Sequence, residues 1–147
     1  MNTIAPNLNQ RPPRSPRVRL GGYAILPRTL DKARATVAGQ AGEYQFNSTL
    51  DSLFFGFTGI RAETLLERVQ SGSGDADLLA WVRQTAGKPA HEILAWSDWA
   101  ESFTLSDPES REWLAGETRR LDPRRDDIQT IFDYLDLDDY LHFGGAK

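Results

Sequence analysis

The residues of this sequence that are best suited to chemistry form one polar group. It combines cations, carboxylates, a phenol and an amide, and its members are Arg28, Asp31, Lys32, Arg34, Glu43, Tyr44, Asn47 and Asp51. Arginine presents a planar fork of N–H donors that matches a carboxylate or a phosphate, so such a group can bind a small anionic ligand. The structural alternative is an ion-pair network in which these charges fix a helix against the GEYQFN segment that follows it. The sequence leaves both alternatives open.

An enzyme that uses carboxylates for acid–base chemistry is a second hypothesis. The acid or base would be Asp31, Glu43 or Asp51, and Tyr44 would supply a hydroxyl donor. Other reaction classes lack their signatures. There is no cysteine, which excludes thiolate catalysis and cysteine-ligated metals, and neither a GxSxG motif nor a Walker phosphate loop occurs. No catalytic residue is therefore assigned.

A metal site has one candidate, near the end of the chain. Asp138, Asp139 and His142 have the spacing of one helix face and could supply half of a metal-binding cluster. A solvated acidic end of the chain is the simpler interpretation. We therefore expect no metal and no cofactor.

Basic residues are concentrated at the start of the chain. Residues 1–40 hold seven Arg or Lys and one acid, although the net charge of the whole chain is −4. An arm over Arg11–Arg19 could bind nucleic acid, and such binding would weaken steeply with added salt. Alternatively, the arm lies on the acidic surface of the protein itself. We favour this alternative because a pI near 5.2 indicates repulsion between polyanions and the rest of the molecule.

The polar group needs a helix to position it, and the segment from Leu26 to Asn47 predicts one. Pro27 suits a first helical turn, and Leu30, Ala33 and Val37 recur at helical spacing. Ser48 followed by Asp51 predicts a capping box for a second helix. Asp107-Pro108 and Asp122-Pro123 predict two later helix starts. Seven helical segments without a long β-branched run indicate an all-α fold: a single compact bundle of about six or seven short helices around the central N-terminal helix.

Composition predicts the domain boundaries and the cellular location of the protein. Residues 1–13 are polar and lack periodicity, so we expect a disordered or loosely attached tail before a single helical domain over residues 14–147. The longest apolar stretch, Leu53 to Ile60, is too short to span a bilayer, and no signal-peptide pattern precedes it. We therefore expect a cytoplasmic protein with no membrane segment.

Several short motifs occur in a recognisable order over residues 14–105. They are Ser15-Pro-Arg, Leu20-Gly-Gly, Leu26-Pro-Arg, Asp31-Lys-Ala-Arg-Ala, Gly42-Glu-Tyr, Asn47, Asp51, Phe57-Thr-Gly-Ile and Ala95-Trp-Ser. Together they resemble a bacterial family described as domain of unknown function 5069. The resemblance implies no activity, cofactor or catalytic residue. Our leading hypothesis is thus a binding or interaction module that recognises a small anionic ligand or a protein partner at the polar group.

Overall fold

The computed structural model describes residues 5–147, and over that range its secondary structure consists of seven helices with no strand. The helices are α1 (Leu26–Val37), α2 (Thr49–Thr58), α3 (Ala62–Gln70), α4 (Asp75–Ala86), α5 (Ala90–Glu101), α6 (Pro108–Leu121) and α7 (Ile131–His142). An isolated bridge joins Leu20 to Tyr23. None of the seven helices is long and apolar enough to cross a membrane. The predicted all-α fold is confirmed.

Helix α1 is the centre of the bundle, as predicted. Every residue from Leu26 to Ala35 is buried, although this stretch includes four charged side chains. Leu30 and Ala33 belong to a core that also takes side chains from α2, α3, α4 and α5. A helix that is covered on all sides must find internal partners for its charges, because an unpaired buried charge is costly.

The start of α1 is held in an unusual conformation. Ile25 has a φ of 72°, which is sterically unfavourable for a β-branched residue. The surroundings enforce it: the side chain is fully buried beside Ala24, Ala100 and Phe132, and the N–H donates to the carbonyl of Pro16 at 2.9 Å. The direction in which α1 begins is therefore set by tertiary packing.

Three of the four predicted helix starts agree with the structure, and the first of these is Pro27 in the opening turn of α1. The predicted capping box at Ser48 and Asp51 begins α2, and Asp107 caps α6 ahead of Pro108. The helix start predicted at Asp122-Pro123 is wrong, since α7 begins only at Ile131. The carboxylate of Asp122 binds the backbone N–H and the guanidinium of Arg124 and caps no helix. A second capping box, Thr130 with Asp133, begins α7 instead.

The division into a tail and a domain at residue 14 stays a prediction, but the described part of that tail makes specific contacts. The Leu8 side chain is only 1% exposed, and its N–H donates to the carbonyl of Gln40 at 2.9 Å. Gly42 lies against it: a Cβ at this position would be 2.9 Å from the Leu8 carbonyl oxygen. One apolar side chain and its backbone thus hold residues 5–13 against the turn that follows α1. Residues 1–4 of the predicted tail lie outside the described range.

Candidate functional site

A cavity of about 800 Å³ lies between α1, α2, α6 and α7. One side is polar, with the buried Arg28 and Lys32 of α1 and the partly buried Tyr44 and Ser48 of the following loop. Most of the remaining wall surface is apolar and comes from Leu50, Leu53, Phe103, Leu105, Trp113, Ile131, Tyr134 and Leu135. The wall also includes the polar side chains of Glu43, Gln45, Thr49, Ser110, Asp138 and His142. Such a combination of apolar walls and a few polar groups is typical of small-molecule sites.

Lys32 is buried and paired, yet it keeps one donor for the cavity. Its Nζ lies 2.8 Å from Asp51 Oδ2 and donates to Ser48 Oγ at 3.1 Å. The third N–H has no partner among residues 5–147. Burial lowers the pKa of Lys32, and the adjacent Asp51 carboxylate opposes that effect.

Asp51 does not line the cavity, but it holds Lys32 and Ser48 in position. Its fully buried carboxylate accepts hydrogen bonds from Thr29 Oγ1 at 2.6 Å and from the Ser48 N–H at 3.0 Å, in addition to Lys32. Ser48 Oγ accepts from the Asp51 N–H and from Lys32. The hydroxyl proton of Ser48 has no acceptor within the described part of the chain. Lys32 and Ser48 therefore each retain a donor that a ligand oxygen could accept.

Arg28 and Tyr44 form the second polar pair of the cavity, and both bind Asp139 of α7. Arg28 Nη1 donates to Asp139 Oδ2 at 2.8 Å, and the Tyr44 hydroxyl donates to Asp139 Oδ1 at 2.7 Å. The guanidinium also lies over the Tyr44 ring, 5.5 Å from its centroid. Burial and the hydrogen bond to Asp139 raise the pKa of Tyr44 well above its usual value. Tyr44 is therefore a neutral phenol that donates its proton to Asp139.

The other candidates lie apart from the cavity or at its edge. Asp31 and Arg34 belong to a separate cluster, in which Arg14 Nη2 lies 3.0 Å from Asp31 and Arg34 Nη1 lies 2.9 Å from Asp75. Glu43 lines the cavity with an exposed side chain. Asn47 is exposed, has a φ of 62° and does not line the cavity. The cavity thus unites Arg28, Lys32, Glu43 and Tyr44 from the predicted group.

Comparison with known proteins places the chain in a family. A family model described as a domain of unknown function, DUF5069, matches residues 10–141. The chain belongs to this family. The resemblance seen over residues 14–105 is confirmed, and the match extends through α6 and most of α7. No curated protein matches the chain significantly.

Sequence reasoning missed part of the cavity in this DUF5069 chain. Ser48 was identified only as a helix cap, and Asp138 only as a possible metal ligand. Trp113 was considered as one of four tryptophans that could line an aromatic pocket, but we favoured a place in the core. A signal for Trp113 was available in the sequence, because the segment of α6 has few apolar residues and Trp113 is the largest of them. For Asp138, nothing in the sequence distinguishes it from the neighbouring acidic residues as the one that lines the cavity.

The residues of the predicted metal cluster have different roles. Asp139 is occupied by Arg28 and Tyr44, whereas Asp138 and His142 line the cavity. Within residues 5–147, no group of three or more histidine or acidic side chains is arranged to hold a metal ion.

The predicted basic arm lies on the acidic surface of the protein. Arg14 pairs with Asp31 and Asp75, which belong to α1 and α4. The side chains of two further arginines reach the α7 and α5 helices, where Arg17 pairs with Asp133 and Asp136 and Arg19 pairs with Asp98 and Glu101. These contacts correspond to the structural alternative for the arm. The expectation that nucleic acid is not the partner stays a prediction.

Proposed function

We propose that this protein is a binding module for a small molecule that carries an anionic group on an apolar body. The observation that carries the proposal is the pair of unused donors on Lys32 and Ser48 beside the largely apolar walls of one cavity. A carboxylate could accept the third N–H of Lys32 and the hydroxyl proton of Ser48. The apolar body would fill the space toward α6 and α7.

The size of the cavity favours a small molecule over a protein partner. Ligand pockets typically measure about 300–1,000 Å³, and this one measures about 800 Å³. Each Å² of apolar ligand surface removed from water contributes roughly 25 cal/mol. A hydrogen bond from a charged donor contributes about 1.5–3 kcal/mol.

The acid–base alternative has less support. Asp31 and Asp51 do not line the cavity, so neither reaches a molecule bound there. The Tyr44 proton is held by Asp139. Of the three acids in this hypothesis, only the exposed Glu43 lines the cavity, and it has no partner among the described residues.

Octanoate and octanol test the proposal, because they share a chain and differ in the anionic group. Binding to the full chain would be measured by isothermal titration calorimetry, with tryptophan fluorescence as a second readout because Trp113 lines the cavity. We expect octanoate to bind, and we expect Lys32→Met to weaken its binding about tenfold, or about 1.4 kcal/mol. Ser48→Ala should weaken binding in the same direction, and it tests the same donor pair if Lys32→Met fails to fold.

A matched pair of tryptophan variants controls for the location of binding. Trp113 and Trp99 are 53% and 48% exposed, but only Trp113 lines the cavity. Trp113→Ala should therefore weaken octanoate binding, whereas Trp99→Ala should leave it unchanged. The proposal is wrong if Lys32→Met, Ser48→Ala and Trp113→Ala, each shown to be folded by circular dichroism, all bind octanoate as well as the parent protein does.

A further inference from the structure

Asp138 is a carboxylate that lines the cavity without a partner. It lies on α7, next to Asp139, and its side chain is half-buried. Among residues 5–147, no hydrogen bond and no ion pair involves it. Asp139 differs in this respect, because Arg28 and Tyr44 both bind its carboxylate.

The two cations of the cavity do not balance Asp138. Arg28 is paired with Asp139, and Lys32 is paired with Asp51. Lys32 therefore offers a hydrogen-bond donor to a ligand, but neither cation adds net positive charge to the cavity. Two carboxylates of the cavity wall, Glu43 and Asp138, remain unpaired within the described range.

The surroundings of Asp138 disfavour an unpaired anion. Burial raises the pKa of Asp138, and the neighbouring Asp139 carboxylate adds to that effect. Arg120, His142 and Arg28 act in the opposite direction, although none of them lies within ion-pair distance. A cationic group brought next to Asp138 would relieve this burial of unpaired charge.

We propose that the ligand of the cavity is a zwitterion, whose ammonium group binds Asp138 while its carboxylate binds Lys32 and Ser48. This inference rests on the proposed function and adds a second charge to the ligand. A simple anion would be repelled by Asp138, whereas a zwitterion would pair with it. The aromatic pair formed by Trp113 and Tyr134, with ring centroids 5.7 Å apart, lines the same cavity and favours an ammonium group through cation–π attraction.

Amino derivatives of octanoate provide matched probes. In 2-aminooctanoate, 5-aminooctanoate and 8-aminooctanoate the ammonium lies at three distances from the carboxylate on the same chain, so the panel does not require the separation to be known. We expect at least one of them to bind about tenfold more tightly than octanoate. In Asp138→Asn this preference should be lost, and octanoate should bind more tightly than it does to the parent protein because its repulsion is removed.

Asp126→Asn is the matched control. It removes the same charge from an exposed side chain for which no partner lies among the described residues, so the preference for the amino derivative should remain. The inference is overturned if no amino derivative binds more tightly than octanoate, or if the preference survives in Asp138→Asn. These outcomes leave the proposed function intact as long as octanoate binding depends on Lys32 and Ser48. The proposed function would instead be overturned if every carboxylate probe bound equally well with and without Lys32 and Ser48.

Discussion

At the scale of single residues, the charged side chains of α1 have two separate tasks. Arg28 and Lys32 are four positions apart and face the cavity, as expected for one face of a helix. Asp31 and Arg34 are three positions apart and face Arg14 and Asp75. The charged side chains of α1, which the sequence analysis placed in one polar group, are therefore divided between a pair that lines the cavity and a structural cluster.

The structural cluster predicts a large loss of stability for Asp31→Ala. Removing one partner of a buried ion pair typically costs 3–5 kcal/mol. Here Arg14 and Arg34 would both keep Asp75, so we expect the free energy of unfolding to fall by about 3 kcal/mol, at the lower end of that range. Chemical denaturation measures this change.

Two further variants test whether Asp31 acts through the cluster. Asp31→Ala combined with Arg34→Ala should lose little beyond the larger single loss, because both residues belong to one network. Glu63→Ala removes a carboxylate from an exposed pair with Arg61 and should cost less than about 1 kcal/mol. A loss of that small size in Asp31→Ala would contradict the structural role.

At the scale of secondary-structure elements, the position of the site depends on where α7 begins. The Thr130–Asp133 capping box starts this helix, and the helix then places Asp138 at the cavity and Asp139 against Arg28. A helix that started after Pro123 would not require the Thr130 cap. The short turn at 122–125, closed by Asp122 and Arg124, delays the helix instead.

Thr130→Ala should therefore destabilise the protein by about 1 kcal/mol, the usual loss on removal of an N-cap side chain. The reason is that Thr130 Oγ1 accepts the Asp133 N–H at 3.1 Å, and this N–H would lose its partner. Thr104→Ala is the control, because Thr104 is exposed and makes no hydrogen bond within residues 5–147. Equal denaturation midpoints for the two variants would show that the capping box does not stabilise α7.

At the scale of the whole molecule, the segment before α1 ties distant helices together. Leu8 is buried against the turn that follows α1, and Arg14, Arg17 and Arg19 reach carboxylates on α1, α4, α5 and α7. The segment before α1 therefore connects helices that are far apart along the chain.

Deletion of residues 1–13 should lower the melting temperature by several degrees. Burial of a leucine side chain contributes about 1.5–3 kcal/mol, and each kcal/mol corresponds to roughly 2–4 °C for a chain of this size. We therefore expect a shift of about 3–12 °C by calorimetry. Leu8→Ala should reproduce much of it, and Val18→Ala, at an exposed position, should not. An unchanged melting temperature in the deletion variant would instead support a loosely attached tail.

The arginine–carboxylate pairs also predict a loss of stability in acid. The hydrogen bond from Arg14 lowers the pKa of Asp75 despite its partial burial, and the hydrogen bond from Arg125 lowers the pKa of Asp127 to about 2. The unfolded chain therefore takes up protons at a higher pH than the folded protein does. Stability should be retained above the ordinary aspartate pKa near 3.9 and should fall as the pH drops from there through the lowered values. Asp138, whose pKa burial raises, acts in the opposite direction.

Denaturation midpoints between neutral pH and pH 2 measure this dependence. Asp75→Asn should be less stable than the parent protein at neutral pH and should lose less stability on acidification, because it lacks one of the groups that titrate. A steeper acid loss in Asp75→Asn would contradict the assignment.

The sequence by itself determined the features that arise within a few turns of chain. Helix α1, the Ser48–Asp51 capping box and the all-α class follow from apolar spacing and from capping side chains, which act between near neighbours. The family also follows from the sequence, because its motifs keep their order along the chain.

Only the tertiary structure decided which charges pair and where a cavity is left. Arg28 pairs with Asp139, which lies 111 residues away along the chain. The chain has 21 acidic side chains, and charge alone would allow any of them to be the partner. Ion pairing has no sequence period, so the packing of α7 against α1 selects the partner. The same packing takes Asp31 and Arg34 away from the cavity and leaves Asp138 inside it without a cation.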